Sequence, residues 1–419
     1  MDIYALFILA GIIIFLGFVG EFVFRKTNIP DVIWLMIFGI IIGPAFNFVQ
    51  PESIVTIAPV FTTFALIFIL FEGALNLKVR ELFRGAAGGF VLALVNFIAS
   101  VAVTTVIALL FGFGFVQSVL LGAVLGGTSS AVIIPIIKRL NIGKSTAASL
   151  TLESAFSDVL CIVAAVSIIQ IYQIGVLQIN SLVSGLLNSF VVSLFIGAIA
   201  GYIWIRVLYK LSHYVKSYMI TIGFMLLIYG LTEYIGSNGA IACLAFGIML
   251  GNADKIFKAF HNVENGAAIK GPELFFYAEV SFAIKSFFFV YLGILLQFKN
   301  VVPYLIALAI VVGLYLVRPV STLTLGRGVS PKDKAMVDGL VPKGLAAAVL
   351  AQLPAQMGIP GTELFADVVL SVILITILAS TVFVFLVEKN MFGGITSWYS
   401  RLFSRRPKMP ESSDMNKQQ

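Results

Sequence analysis

An all-α polytopic membrane fold is what three features of this 419-residue sequence predict. Hydrophobic residues make up 60% of the chain and charged residues 11%, under half the roughly 25% charge of an ordinary soluble domain. The apolar residues gather into runs of about 20, the length at which a helix crosses the hydrocarbon layer of a bilayer. Lysine and arginine occupy every second gap between those runs, as expected where positive loops stay on the cytoplasmic face. A soluble surface cannot be assembled from 27 basic, 20 acidic and 2 histidine side chains over this length. The formal charge of +7 reads as loop basic residues facing anionic lipid headgroups, not as a nucleic-acid surface.

The first span, 3–24, is apolar from Ile3 and has neither a basic leader nor a small-residue cleavage pattern, so it reads as a helix and not a signal peptide. Arg25 and Lys26 close it. Spans 29–46 and 54–73 form the next pair, ended by Lys78, Arg80 and Arg84, and 86–112 with 115–139 the pair after, ended by Lys138, Arg139 and Lys144. Spans 148–172 and 182–209 end at Arg206, Lys210 and Lys216. Spans 215–235 and 238–252 end at Lys255, Lys258 and Lys270; the second is short enough to be broken, tilted or re-entrant. Spans 274–298 and 301–324 lead to Arg327, Lys332 and Lys334, and spans 334–355 and 364–388 to Lys389 and the tail. Thirteen transmembrane helices result, with 23 basic residues on one side, Lys299 alone on the other, and Lys285, Arg318 and Lys343 inside spans. This multi-pass arrangement places the N-terminus outside and the C-terminus in the cytoplasm of a cell membrane.

With an odd count, six spans on each side of the seventh enter from opposite faces, which permits two six-helix inverted repeats. The fifth member of each set is interrupted, by Gly126, Gly127, Thr128, Ser129, Ser130 and Pro135 in one and by Pro342 and Gly344 in the other. Discontinuous helices in corresponding positions point to a transporter binding site. Residues 1–398 read as one transmembrane domain and residues 399–419 as a short cytoplasmic tail whose Arg401, Arg405, Arg406 and Lys408 lie on anionic headgroups. Cys161 and Cys243 sit in apolar runs and give neither a disulfide framework nor a metal cluster. The Gly126 region lacks a Walker lysine, so no nucleotide site is expected.

An ionisable group at the bilayer centre costs on the order of 3 kcal/mol and is normally paired or open to an aqueous cavity. Asp158 lies about ten residues into the sixth span, near mid-membrane at 1.5 Å per residue, and its carboxylate can hold a cation or a proton. Glu153 projects from a different helix face. Ser154, four residues before Asp158, shares its face, and Ser157 precedes it; each offers a hydroxyl to a dehydrated cation or to its own helix backbone. Lys343, between Pro342 and Gly344, suits a carboxylate partner, and Glu153 is the plausible mate. Arg318, before Pro319, is a second candidate that could instead snorkel to the headgroups. Lys285 is near mid-membrane without a local motif. Glu72, in FEGALNL, either lines a cytoplasmic funnel or caps its helix. His213 and His261 fall in cytoplasmic loops and are not metal ligands.

ESAFSD from Glu153 to Asp158, GGTSSAVIIP from Gly126 to Pro135, FEGALNL from Phe71 to Leu77 and VPKGLAAAVL from Val341 to Leu350 together resemble the cation:proton antiporter superfamily, especially its NhaP-like sodium/proton exchanger branch. The resemblance spans nearly the whole transmembrane region. It implies a homodimer in which an ion-transporting core, helices of about 86–172 and 301–388, moves against the dimerisation and linker helices, with two discontinuous helices crossing beside the ion. It implies Asp158 as the carrier of proton and cation, Glu153 as partner of a core basic residue, foremost Lys343, with Arg318 resembling the basic position of another branch. Thr128 and Ser129 line the first broken helix, Ser154 lies beside the cation, and Glu72 approaches from the cytoplasmic side.

Two features depart from the branch. Ser157 stands where an Asn commonly precedes the carrier, and Ser129 and Ser130 stand where Asp and Pro are frequent, a pattern closer to the potassium-efflux branch. With a single obvious carrier carboxylate, electroneutral exchange of one cation for one proton is expected. The function predicted is secondary antiport of Na⁺, with K⁺ or Li⁺ as other cargo, against H⁺, needing no ATP, no cofactor and no enzyme chemistry. A K⁺/H⁺ antiporter, a gated monovalent cation channel and a solute symporter are the alternatives.

Overall fold

The computed structural model describes residues 3–27, 30–49, 58–75, 86–137, 140, 142–174, 179–211, 217–254, 256, 271–296, 298, 300–326 and 329–388. Every regular element among the described residues is helical. In chain order the helices are α1 (Ile3–Thr27), α2 (Asp31–Ile40), α3 (Ala58–Leu75), α4 (Ala86–Leu110), α5 (Phe115–Leu125), α6 (Ser130–Ile137), α7 (Lys144–Ile174) and α8 (Ile179–Leu211). They continue as α9 (Ser217–Tyr234), α10 (Gly239–Gly251), α11 (Gly271–Leu295), α12 (Val302–Thr322), α13 (Pro331–Gly339), α14 (Leu345–Gln356) and α15 (Phe365–Glu388). His213, His261, the 399–419 tail and most of the basic loop residues lie outside the described residues.

Six helices among the described residues are long and apolar enough to cross a membrane, over Gly88–Leu110, Lys144–Ile169, Val191–Tyr209, Gly271–Leu295, Val302–Thr322 and Phe365–Glu388; shorter apolar helices accompany them. Exposed Phe7, Phe15 and Phe18 on α1, Leu227 and Leu231 on α9 and Leu305, Val312 and Leu316 on α12 would be penalised by water and are at home in hydrocarbon. Together these features make the chain a polytopic membrane protein.

Local chemistry explains the irregular places. α2 widens into a π turn over Ile41–Ala45, where Pro44 has no N–H for the regular ladder. The short stretch at 238–252 is one unbroken helix among its described residues, capped by Asn238, whose side chain accepts from Ile241 N at 3.0 Å. The stretches 115–139 and 334–355 each divide into two helices, α5 with α6 and α13 with α14.

The helices pack in two sets. α4, α5, α6, α7, α12, α13, α14 and α15 pack among themselves, with α4 against α5, α7 and α12, and α15 against α12, α13 and α14. α1, α2, α3, α8, α9, α10 and α11 form the other set, in which α10 packs against α3, α8 and α9, and α11 against α1, α2 and α3. The sets meet along α14 with α3, α7 with α8 and α15 with α2. A small apolar cavity lies on this seam, lined by Leu70, Val159, Ile162, Ala240, Ile241 and Leu244.

Candidate functional site

The two interrupted helices cross beside α7. Between α5 and α6 the chain leaves the helix at 126–129, and between α13 and α14 at 340–344. Non-helical backbone is tolerated at membrane depth only where other groups satisfy it, and here the satisfaction is explicit. Ser129 N donates to Pro342 O at 2.8 Å, joining one break to the other. Thr128 N donates to Ser157 Oγ at 3.0 Å. Val341 N donates to Ser380 Oγ at 3.2 Å and Lys343 N to Thr376 Oγ1 at 3.0 Å, both acceptors being on α15. Tyr315 of α12 donates to Gly339 O at 3.3 Å. Glycine permits close approach at both breaks: a Cβ on Gly344 would strike Ser129 Oγ of the other break, and one on Gly127 would lie 2.8 Å from Cys161 Sγ of α7.

Charge is arranged to suit the exposed helix ends. Lys343, buried, sends Nζ to Gly127 O at 2.7 Å, so its ammonium neutralises the carbonyl end left by α5. Asp158 on α7 takes a hydrogen bond from Ser130 Oγ at 2.8 Å, at the first residue of α6, where the helix presents its positive pole. Asp158 is partly buried, not sealed.

The pairing of Glu153 departs from the sequence reading, which favoured Lys343. Arg318 Nη2 donates to Glu153 Oε2 at 2.8 Å and Nη1 to Oε1, both residues fully buried, while Arg318 Nε donates to Val337 O of α13 at 3.0 Å. The planar guanidinium matches both carboxylate oxygens at once, which a lysine cannot do. Arg318 therefore does not snorkel; it ties α7, α12 and α13 together.

The predicted hydroxyls divide. Thr128, Ser129, Ser154 and Ser157 are buried. Ser154 Oγ donates to Thr151 O at 3.1 Å, and Ser157 Oγ to Ser154 O at 3.2 Å, so both use their own helix backbone, as serines in apolar helices often do. Glu72 is partly buried near the end of α3, in the other helix set. Lys285 is partly buried on α11, where its charge acts on Asp31 of α2, and so stands apart from the crossing.

Sequence reasoning missed Tyr315, Thr376 and Ser380. The available signal was polar residues four apart on one face of the last apolar span, 376 and 380. It also missed two clasps. Asp333 of α13 accepts from Gly143 N at 3.0 Å and Thr146 Oγ1 at 2.9 Å, at the start of α7. Gln117 of α5 donates to Pro360 O at 2.8 Å, in the turn before α15.

Two broken helices that meet beside a partly buried carboxylate on a third helix are the arrangement that, in a polytopic membrane fold, can form a transport site. The chain belongs to the transmembrane sodium/hydrogen exchanger family, which matches residues 11–389. Its overall fold matches that of the sodium proton antiporter MjNhaP1 of Methanocaldococcus jannaschii at a TM-score of 0.76 and 21% identity, covering 93% of this chain and 99% of that one. In sequence it is 24% identical over 364 residues to Na(+)/H(+) antiporter 1 of Methanocaldococcus jannaschii, 81% of each chain. It is also 26% identical over 328 residues to the K(+)/H(+) antiporter NhaP2 of Shewanella sp. (strain ANA-3), a match covering 75% of this chain and 54% of that relative. The chain thus spans about half the length of the NhaP2 relatives it matches.

Proposed function

We propose that this chain is a secondary antiporter that exchanges Na⁺ for H⁺, one for one, through alternate occupancy of Asp158. The carrying observation is that Asp158 is partly accessible beside the helix crossing and held by a neutral hydroxyl donor, Ser130. The neighbouring charges are otherwise engaged, Glu153 by Arg318 and Lys343 by a carbonyl. A proton and a cation then compete for one carboxylate, and competition together with alternating access is sufficient for coupling. Thr128, Ser129, Ser154 and Glu72 supply oxygen near the cation path in this reading.

Thirteen spans in two inverted repeats account for the packing. α4, α5, α6 and α7 pack with one another as α12, α13, α14 and α15 do. Each broken helix is clasped by the turn of the opposite repeat, Gln117 by Pro360 and Asp333 by Gly143. The core of 86–172 and 301–388 moves against the remaining helices along the apolar seam. The remaining helices carry the homodimer contact in a cell membrane, N-terminus outside and C-terminus cytoplasmic.

K⁺/H⁺ exchange is the second reading. Ser129 and Ser130 replace a frequent acid and proline, and relatives named K(+)/H(+) antiporter match this chain. In proteoliposomes with an imposed pH gradient, Na⁺, K⁺ or Li⁺ added singly should trigger proton movement that Asp158→Asn abolishes. The most effective cation names the cargo. Current that settles at the cation equilibrium potential without proton movement identifies a channel and rejects exchange.

A further inference from the structure

We infer that Ser130 is the positioning residue that holds the Asp158 carboxylate at the mouth of the first helix break and sets how proton and cation compete for it. The inference rests on the antiport reading above.

Four serine hydroxyls near the crossing are candidates for this task, and the geometry separates them. Ser157 is engaged with Thr128 and with Ser154 O. Ser154 is turned to Thr151 O. Ser129 gives its amide to Pro342 O, and its Oγ lies where a Cβ on Gly344 would fall. Among the described hydroxyls, Ser130 alone hydrogen-bonds Asp158, its Oγ donating to Oδ2 at 2.8 Å. One hydroxyl thus supplies the donor.

The position explains why serine can stand there. Ser130 is the first residue of α6, the place in a helix where an N–H has no partner inside the helix and where proline is readily accommodated. A proline at 130 would start the helix as well and deliver no hydroxyl to Asp158. Serine gives up that preorganised backbone and gains a hydrogen bond to the carboxylate. Donors aimed at a carboxylate favour its ionised form, which is the form that accepts a cation. The hydroxyl can also turn its lone pairs to a bound ion once the carboxylate is occupied.

The other charged groups around Asp158 are fixed in different ways. Lys343 approaches from the second break but bonds Gly127 O. Cys161 lies one turn along α7. Glu153 is engaged by Arg318, and Glu72 lies on α3 across the seam. Changing Ser130 alters the donor on Asp158 without changing any of these charges.

The test compares wild type, Ser130→Ala, Ser130→Pro and Ser130→Thr in proteoliposomes, over a range of pH and cation concentration. Ser130→Ala and Ser130→Pro both remove the hydroxyl, and Ser130→Pro keeps a residue suited to the helix start. The expected result is a rise of about tenfold in apparent KM for the cation in Ser130→Ala, the order expected for one charge-assisted hydrogen bond. Ser130→Pro, which lacks the same hydroxyl, should rise by a similar factor. In both, half-maximal exchange moves to more alkaline pH while the rate at saturating cation and high pH is kept, and Ser130→Thr restores the wild-type profile. KM and pH profile unchanged in both Ala and Pro variants would overturn the inference, as would an equal loss of rate at all pH values with KM unchanged. A monodisperse elution peak in detergent qualifies each variant; if Ser130→Ala is misfolded, Ser130→Pro alone decides by the same two readouts. Absence of cation-driven proton movement in wild type defeats the antiport reading itself and is a separate outcome.

Discussion

Two buried cations near the crossing are easily mistaken for equivalents, yet Arg318 and Lys343 do different work. Arg318 gives three hydrogen bonds to Glu153 and Val337, whereas Lys343 meets a backbone carbonyl. Removing one member of a buried ion pair strands the other charge, at about 3–5 kcal/mol. Arg318→Ala should therefore lower the unfolding temperature in detergent sharply, and adding Glu153→Gln should recover part of the loss. Lys343→Ala should cost less, about 1–3 kcal/mol for an orphaned carbonyl, and Glu153→Gln should not rescue it. Rescue of Lys343→Ala by Glu153→Gln, and not of Arg318→Ala, would reverse the assignment. The sequence put all three residues in one network because each is an ionisable group within an apolar span. It favoured Lys343 where the structure pairs Glu153 with Arg318, because depth along a helix says nothing about which neighbour faces it.

At the scale of elements, the interruptions were legible from glycine, proline and hydroxyl residues at 126–130 and 342–344. Their mutual contact was not. Ser129 N reaches Pro342 O from more than 200 positions away in the chain, and no local pattern encodes that distance. Gly344 marks the contact, since a Cβ there would strike Ser129 Oγ. Gly344→Ala should insert in the membrane yet lose cation-driven proton movement, while Gly223→Ala, a position with open space around it, should retain both. Full exchange in Gly344→Ala would show that the breaks can separate without harm. Thr376 tests the other support: Thr376→Val removes the acceptor for Lys343 N and should lower thermal stability by about 1–3 kcal/mol, the cost of a buried amide without a partner.

Across the whole molecule, the division into two helix sets makes a prediction about motion. Val159 of α7 and Leu244 of α10 line the same cavity on the seam. With Cys161 and Cys243 replaced by Ala, a Val159→Cys, Leu244→Cys pair that becomes cross-linked should stop exchange until it is reduced. A cross-link inside one set, between α10 and α8, should leave exchange intact. Exchange unaffected by the seam cross-link would mean that the sets do not move against each other there.

Composition and periodicity by themselves determined that the chain lives in a bilayer, where its helical stretches run, and that Asp158, Glu153, Arg318 and Lys343 are exceptional. The reason is that burial in hydrocarbon penalises charge at every position independently, so each exception is visible one residue at a time. Only the tertiary structure decided that Arg318 holds Glu153, that Lys343 bonds a carbonyl at the first helix break, and that Ser130 and not Ser154 hydrogen-bonds Asp158. Those choices depend on the direction of side chains across a helix crossing, and short-range hydrogen bonds exist only once distant segments have been brought within about 3 Å.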